Sequence, residues 1–541
     1  MAVRSLRGRR HPVIAAMMRR LVVLVLLLAL VSIAASGLSG LLERALDTGT
    51  TVVDDRAGLA LALALTLVGT PSAAALWWWQ RRSLTDPAER ASLLWALYVM
   101  VMTVVALVVS VTAAASAVAS AVDGVWRPDQ VATAIVWLPV LLWHRGMLRG
   151  RASAPTRLPG VATEMAILYG LIVAAGGAVG ALSGVFAEAF ADVARVAVGT
   201  GPWFVPVLQS LVWCASGAAV WWWQRRDRRA DGAATAFGSV VLVVVITASA
   251  ATALFALGTI WFVMLRLLTA DAPVAEALAP LDTALAASSV GGIVWAFHAQ
   301  ALVARSATVL AAARLAVAGV ALLGAASGVG VVVNALLASI GASLLGGHRT
   351  LLLGGVSAIV VGAPAWWAAW RPERGVTAAD AASPGRRVYL VVVFGASAIV
   401  ALVTALLIGY RLFEALLSGV GGLIELIRAP LGLLSATLLV SAYHFAIWRR
   451  DRRLAAADGG SAARVERIVL VSAGDAEALA SRLRSETGAR VSVWRAADAA
   501  ALIDDADLVR VVGRIREAPA RRVLVVGAES GTGARVVPLS G

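Results

Sequence analysis

Apolar positions in this chain fall into stretches of roughly twenty residues or more, separated by short polar loops. That is the length a helix needs to cross a hydrocarbon core about 30 Å thick. The first run, Leu21–Leu42, is broken only by small residues. The runs show no alternation of period two, so they predict helices, which bond their backbone groups internally in lipid. A unit recurs along the chain: a long helix, a short loop, a shorter helix, then a loop marked by arginine. Six units are predicted. They are Leu21–Leu46 with Gly58–Gln80, Leu93–Val122 with Val131–Arg145, and Val161–Phe190 with Phe204–Gln224. The remaining three are Ala234–Leu268 with Leu281–Ala304, Thr308–Ile340 with Leu351–Trp370, and Val388–Leu417 with Leu431–Trp448.

The pattern changes after Asp451. A stretch from Ala455 to Ala463 reads as a linker. Beyond it, Ile468–Val471 predicts a strand, Asp475–Glu486 a helix and Val491–Trp494 a strand. A helical region follows over Ala497–Glu517, then strands over Arg522–Val526 and Arg535–Pro538. The order β-α-β-α-β-β predicts a small open sheet with helices on one or both faces. The expected fold is therefore an all-α polytopic membrane bundle of six repeated helix hairpins with a small C-terminal α/β domain. Its expected parts are a basic N-terminal segment (1–18), a membrane domain of twelve helices (19–450), a linker (451–463) and a cytoplasmic domain (464–541).

Composition agrees with lipid as the solvent. Of 541 residues, 60% are hydrophobic and 15% charged, against nearly half and a quarter in soluble domains. Such a chain has too little polar surface to cover a water-soluble core of its size. The net charge of +15 comes with no lysine at all. The arginines sit in short loops at helix ends, which points to membrane topology and away from nucleic acid. In the C-terminal domain arginine and acidic residues nearly balance, so that part carries no strong nucleic-acid footprint. A single cysteine, Cys214, rules out an intramolecular disulfide. The N-terminus is basic up to Arg20 and apolar from Leu21, like a signal peptide, but the apolar run continues past Ala34-Ala35-Ser36. A retained first helix is the expectation.

The second helix of each unit ends in aromatic residues: Trp77-Trp78-Trp79-Gln80-Arg81-Arg82, Leu142-Trp143-His144-Arg145, Trp221-Trp222-Trp223-Gln224-Arg225-Arg226, Trp295-Ala296-Phe297-His298, Trp366-Trp367-Ala368-Ala369-Trp370-Arg371 and Tyr443-His444-Phe445-Ala446-Ile447-Trp448. Indole has an apolar body and one N–H, so it settles at headgroup level. These read as interfacial belts, with an aromatic ligand cage as the alternative. Arginine is concentrated in the loops after even-numbered helices, which places that side and both termini in the cytoplasm; Arg349 is an exception. Stripes of small residues, Gly176, Gly180 and Gly184 and also Gly324 and Gly328, predict close helix packing.

Three histidines, His144, His298 and His444, recur near the end of the second helix in units two, four and six. Imidazoles from different helices are candidates for a metal site or proton relay if they converge; each also suits a structural role at the interface. Ionisable or polar groups within apolar segments form a second set: Glu43, Glu164, Glu188, Asn334 and Glu414. Such groups are costly in lipid, which makes them candidates for solute or proton coupling. Pairing near the surface, as between Arg411 and Glu414, is the plainer account. The loop Gly527–Gly533 lacks the lysine and the following helix that a phosphate loop needs, so it reads as a hairpin turn. The turn Ser472–Asp475 reads as a helix cap. No nucleophile elbow or catalytic triad is present, no cofactor is implied, and an enzyme would require the histidines to meet.

Unit six runs Arg386-Arg387-Val388-Tyr389-Leu390 through Tyr410-Arg411-Leu412-Phe413-Glu414-Ala415-Leu416-Leu417. It resembles a repeated membrane domain of unknown function found in actinobacteria and related bacteria, the uncharacterised family numbered 5671. Its members are similar in having tandem helix pairs that begin Arg-Arg-Leu-Tyr and end in tryptophan or histidine beside arginine. The resemblance spans roughly residues 19 to 450 and implies an architecture without an activity. Two functional readings follow. One is transport or conduction of a small solute, since internal repeats are common in transporters; it calls for a polar cavity at mid-membrane reached by Glu164 or Asn334. The other is a non-transporting scaffold or sensor in the plasma membrane, with the bilayer around it and a cytoplasmic protein partner on the C-terminal domain; it calls for a sealed core and an apolar or grooved patch there.

Overall fold

Twelve helices take up the twelve apolar runs in the computed structural model, which describes residues 10–47, 55–194, 202–230, 235–269, 273–340, 347–371, 377–381, 383–419, 422–461, 465–472, 476–495, 505–518, 520–527 and 534–539. They are α1 (Arg10–Leu46), α2 (Arg56–Ser83), α3 (Leu93–Val122), α4 (Pro128–Arg149), α5 (Val161–Ala194), α6 (Phe204–Ala230), α7 (Ala236–Thr269), α8 (Leu281–Gln300), α9 (Ala307–Ile340), α10 (Gly347–Trp370), α11 (Pro384–Ser418) and α12 (Leu423–Ser461). The odd-numbered helices are long, with 34 residues in α5, α7 and α9 alike. At 1.5 Å per residue each measures about 51 Å, well beyond the hydrocarbon thickness. Short helices interrupt three loops, Pro87–Arg90, Val274–Leu278 and Ala378–Ala381. In the last of these, Thr377 and Asp380 cap one another: Thr377 Oγ1 donates to the carboxylate at 2.7 Å and accepts from the Asp380 N–H. The hydroxyl and the N–H of Thr377, both donating to it, hold the Asp380 carboxyl below its usual value.

Two expectations shift at the last helix. The last helix, expected from Leu431, begins eight residues earlier, so that Leu423–Ile427 forms the first turns of α12, with Pro430 inside the helix. The stretch expected as a linker continues α12 as far as Ser461, because arginine, leucine and alanine there are strong helix formers. The chain divides into two compact units, Met1–Trp370 with Thr404–Ala436 and Arg371–Val403 with Thr437–Gly541. The division thus falls within the sixth hairpin.

In the first unit, each of the first five predicted hairpins packs as a pair: α1 with α2, α3 with α4, α5 with α6, α7 with α8, and α9 with α10. Each long helix also packs on the second helix of the next hairpin: α1 on α4, α3 on α6, α5 on α8 and α7 on α10. Gly330 of α9 continues the pattern, since a Cβ there would lie 3.1 Å from the Gly432 carbonyl oxygen of α12. Long helices touch in succession as well, α1 to α3, α3 to α5, α5 to α7 and α7 to α9. The repeat in sequence is therefore a repeat of contacts. Buried clusters join consecutive hairpins; one gathers Leu24, Leu27, Val31, Trp95, Tyr98, Val99, Met102 and Met147 from α1, α3 and α4.

Lipid tails are as apolar as leucine, so helices associate by close fit rather than by escape from water. The α5–α6 seam shows this. A Cβ on Gly170 would stand 2.7 Å from the Trp221 backbone nitrogen, and one on Gly177 would run into the backbone of Cys214. A Cβ on Gly184 would meet Val207 Cγ2 at 2.7 Å. Gly176, expected on this seam, has open space around its Cβ position, as has Gly324. Gly180, expected there too, does lie on the seam, its Cβ position 2.8 Å from Ser210 Oγ, while the closest backbone approaches and the Val207 contact follow the spacing 170, 177, 184. Seven residues return to within about 20° of the same line on a helix, whereas four overshoot by about 40°.

In the second unit the C-terminal domain has β1 (Arg467–Ser472), α13 (Ala476–Thr487), β2 (Arg490–Arg495), α14 (Asp505–Glu517), β3 (Arg522–Val526) and β4 (Arg535–Leu539). The sheet order is β2-β1-β3-β4; β1 runs parallel to β2 and β3, and β4 is antiparallel to β3. α13 packs on β1 and β2, α14 on β4, and the helices touch each other. Ile468, Leu470, Val523 and Val525 turn toward them and are wholly buried with Leu483, Val511 and Ile515.

The glycine seam makes a paired test. Gly177→Ala is expected to destabilise the protein in detergent by about 1–3 kcal/mol through overpacking, seen as a lower thermal midpoint. The adjacent Gly176→Ala is expected to be neutral or stabilising, because alanine is the better helix former. Equal effects at the two positions would contradict the seam.

Candidate functional site

The end of each second helix carries one inward-facing residue next to its aromatic group: Gln80, His144, Gln224, His298, Trp370 and His444 in chain order. All are buried except His298, which is half-buried. Histidine alternates with glutamine or tryptophan, so a period of two hairpins overlies the period of one. The three histidines share one geometry. Nδ1 lies on the carbonyl of the valine four residues earlier: Val140 at 2.8 Å, Val294 at 2.8 Å and Val440 at 2.9 Å. A carbonyl only accepts, so Nδ1 carries the proton and Nε2 is the accepting nitrogen. Tyr98 Oη, 3.2 Å from His144 Nε2, then donates to it. The ring of Tyr389 meets His444 edge-on, centroids 6.0 Å apart. Tyr98 and Tyr389 occupy the same place, five residues into α3 and α11.

Each histidine keeps neighbours of its own: Tyr98 and Trp143 for His144, Phe297 for His298, Tyr389 and Tyr443 for His444. Among the described residues no group of three or more His, Cys, Asp or Glu is placed to hold a metal ion. The aromatic ends behave as belts braced by cations. Arg82 lies over the Trp78 ring at 3.5 Å and Arg226 over Trp222 at 3.5 Å, one helical turn apart in each case. Arg145 lies over Trp223 at 3.9 Å, joining α4 to α6.

Ion pairs tie helix ends together within each unit. Arg20 of α1 meets Glu89 at 2.6 Å, Arg145 and Arg149 of α4 both meet Asp227 of α6, and Arg386 of α11 meets Asp451 of α12 at 2.7 Å. Asp227 and Asp451 each sit at the centre of an Arg-Arg-Asp-Arg-Arg run, 225–229 and 449–453. Reading these runs for arginine alone misses that central acid; the signal available is one aspartate repeated in an otherwise basic segment.

The polar candidates divide by where their partners are. Glu164, in the first turn of α5, is buried and pairs with Arg228 of α6 at 3.1 Å. Asn334, toward the opposite end of α9, accepts from Arg428 Nη1 at 2.9 Å. Glu414 is exposed and accepts from Tyr410 at 3.2 Å, while Arg411 donates to the Leu426 carbonyl rather than to Glu414. Glu43 lies half-buried in the last turn of α1 beside Arg44, whose partner is Asp55 at 2.6 Å. Glu188 is half-buried on α5. Arg349, the exception to the charge bias, donates to the Thr269 carbonyl at 2.6 Å. The structure does not gather these groups into one place. A pocket of about 260 Å³ between α7, α9 and α10 is lined by Leu254, Phe255, Phe262, Val320 and Val361 with glycines, alanines and Thr259. In the C-terminal domain, residues 473–475 and 528–533, which include most of both candidate loops, lie outside the described residues.

That domain has a second notable surface. Residues alternating with the buried set point to the other face of the sheet, and among the described residues no helix packs on it. Cross-strand rows run Arg490–Arg467–Arg522, then Ser492–Val469–Leu524–Val537, then Trp494–Val471–Val526–Arg535. The three arginines of the first row are exposed, and Trp494 is 65% exposed.

Comparison with protein families finds a domain of unknown function (DUF5671) at residues 18–130 and again at 307–439, together rather less than half of the chain. The first match runs from α1 to the start of α4 and the second from α9 into α12. Each begins at an odd-numbered hairpin and enters the next, the same double-hairpin period that the histidines mark. The model of this domain thus matches the chain at two places. No curated protein and no solved structure matches it.

The buried Arg386–Asp451 pair generates a stability test. Asp451→Ala removes the carboxylate that meets an arginine only 3% exposed at 2.7 Å, at an expected cost of about 3–5 kcal/mol. Replacing both partners by leucine is expected to recover most of that loss. Thermal unfolding in detergent distinguishes the two; a single variant as stable as the parent would show the pair to be idle.

Proposed function

We propose that this chain is a non-transporting scaffold or sensor of the plasma membrane, and that its C-terminal domain binds an acidic cytoplasmic protein through the face of its sheet on which no described helix packs. The observation that carries the reading is that face. Sheets built on parallel strands ordinarily bury both faces under helices; here α13 and α14 occupy one. Three arginines side by side across strands repel one another, at about 0.2–1 kcal/mol per opposed pair. An acidic ligand offsets that repulsion, and the strip of Val469, Val471, Leu524 and Val526 beside it takes an apolar helix or strand. Trp494 at the rim is the residue type that anchors protein interfaces. Within the membrane, Glu164 and Asn334 are engaged by arginines near opposite helix ends and the pocket between α7, α9 and α10 is largely apolar. This favours the scaffold over solute conduction. The arginine bias and an even number of spans support cytoplasmic termini.

A photo-crosslinking residue at position 494 of the full-length chain, in cells, tests the binding. A discrete protein adduct is expected, reduced about tenfold by Arg467→Glu with Arg522→Glu, given up to about 1 kcal/mol per exposed ion pair. Adducts insensitive to charge reversal, or formed only with lipid, would overturn the proposal. Accessibility reporters placed at the two termini are expected to read the cytoplasmic side at both ends; opposite sides would refute the orientation.

A further inference from the structure

The first two hairpins enclose a cleft with two chemically different halves. The apolar half, about 770 Å³, lies between α1, α2 and α4 and is lined by Val31, Leu38, Ala74, Ile135 and Pro139 among others, with Thr70 its one polar residue. Along α1 it reaches from Val31 to Leu42, about 17 Å, roughly half the hydrocarbon thickness. Leu38 and Ile135 are exposed, so this half opens to the bilayer. The polar half, about 780 Å³, lies at the arginine-rich end and is lined by Arg81, Thr85, Arg90 and Ser153. Trp77 and Trp143, in edge-to-face contact at 5.0 Å, line both halves and so mark their junction at headgroup level. Both volumes fall in the range of small-molecule sites, about 300–1,000 Å³.

The polar half contains two arginines and no carboxylate. Acids close by in sequence are engaged elsewhere: Glu89 binds Arg20, and Asp86 accepts from the Ala88 N–H. Arg81 has no acidic partner among the described residues. Arg90 donates from Nη1 to the Arg151 carbonyl at 2.9 Å, yet its Nε is buried with no acceptor. Arg81 and Arg90 thus line a cleft that holds no carboxylate, and an anionic oxygen is the acceptor that suits a guanidinium best.

We propose that this cleft holds one anionic glycerophospholipid, its phosphate between Arg81 and Arg90 and one acyl chain in the groove between α1, α2 and α4. The chain passes from one oily medium to another, so the tail contributes fit and the arginines supply the selectivity. The proposal is independent of the reading of the C-terminal domain.

The full-length protein, reconstituted in nanodiscs of phosphatidylglycerol and phosphatidylcholine in equal parts, is re-extracted and examined by native mass spectrometry. One phosphatidylglycerol is expected to survive delipidation that removes phosphatidylcholine. Arg81→Gln with Arg90→Gln is expected to lower its retention about 25-fold, at about fivefold for each arginine removed. Arg81→Gln alone, at an exposed position, gives the fivefold step if the double variant does not fold. Ala74→Phe, which fills the groove and leaves both arginines in place, is expected to abolish retention, and Arg226→Gln to leave it unchanged. Equal retention of the two lipids, parental retention in the arginine and groove variants, or displacement of the lipid by inorganic phosphate alone would each overturn the proposal.

Discussion

Lipid supplies no hydrogen-bond partner, and most of this structure follows from that one constraint. Every charged or strongly polar group must be settled within the protein or carried to the ends of the helices. The chain does both. Its arginines crowd one end of the first unit, where Arg20, Arg145, Arg149 and Arg228 each reach a carboxylate, and in the second unit Arg386 does the same. At the opposite end Arg44 and Arg428 find Asp55 and Glu425, and Arg266 finds Glu276. The imidazoles obey the same constraint by turning Nδ1 back onto their own helix. A histidine held this way offers only Nε2 outward, which suits a tyrosine hydroxyl such as Tyr98.

The same constraint removes the hydrophobic effect as the force between helices and leaves close fit in its place. The glycines of α5 and α6 let backbones meet, and the pairing rule then propagates: each of the first four long helices lies on both helices of the next hairpin. A repeat that is adequate for one pair is adequate for all. Variation can therefore collect at the ends, where the inward residue alternates between histidine and glutamine or tryptophan. That alternation has a period of two hairpins, and each of the two family matches likewise runs from one hairpin into the next.

Against this regular frame two surfaces stand out as incomplete. One is the face of the C-terminal sheet with three arginines in a row; the other is the cleft of the first two hairpins, apolar in one half and cationic in the other. Both contain arginine beside apolar surface. They differ in solvent, since the sheet face lies in a domain of ordinary soluble composition and the cleft opens to the bilayer. This difference favours a protein for the first and a lipid for the second.

The twelve spans, their pairing into hairpins, the belts of tryptophan and the β-α-β-α-β-β order were legible in the chain, because each depends on local composition and on the period of apolar residues. Contacts between helices were not. Gly176 and Gly177 are indistinguishable in sequence, and only the packed pair decides which one faces Cys214. His144, His298 and His444 recur regularly enough to make a common site one candidate beside a structural role at the interface, but regular spacing along a chain says nothing about convergence in space. Asp227 and Asp451 passed as minor members of basic runs until their partners, 82 and 65 residues away, were brought beside them. What the sequence determines here is set by each segment's exchange with its solvent. What the tertiary structure decides is which side chains of distant segments share a volume, and no single segment contains that information.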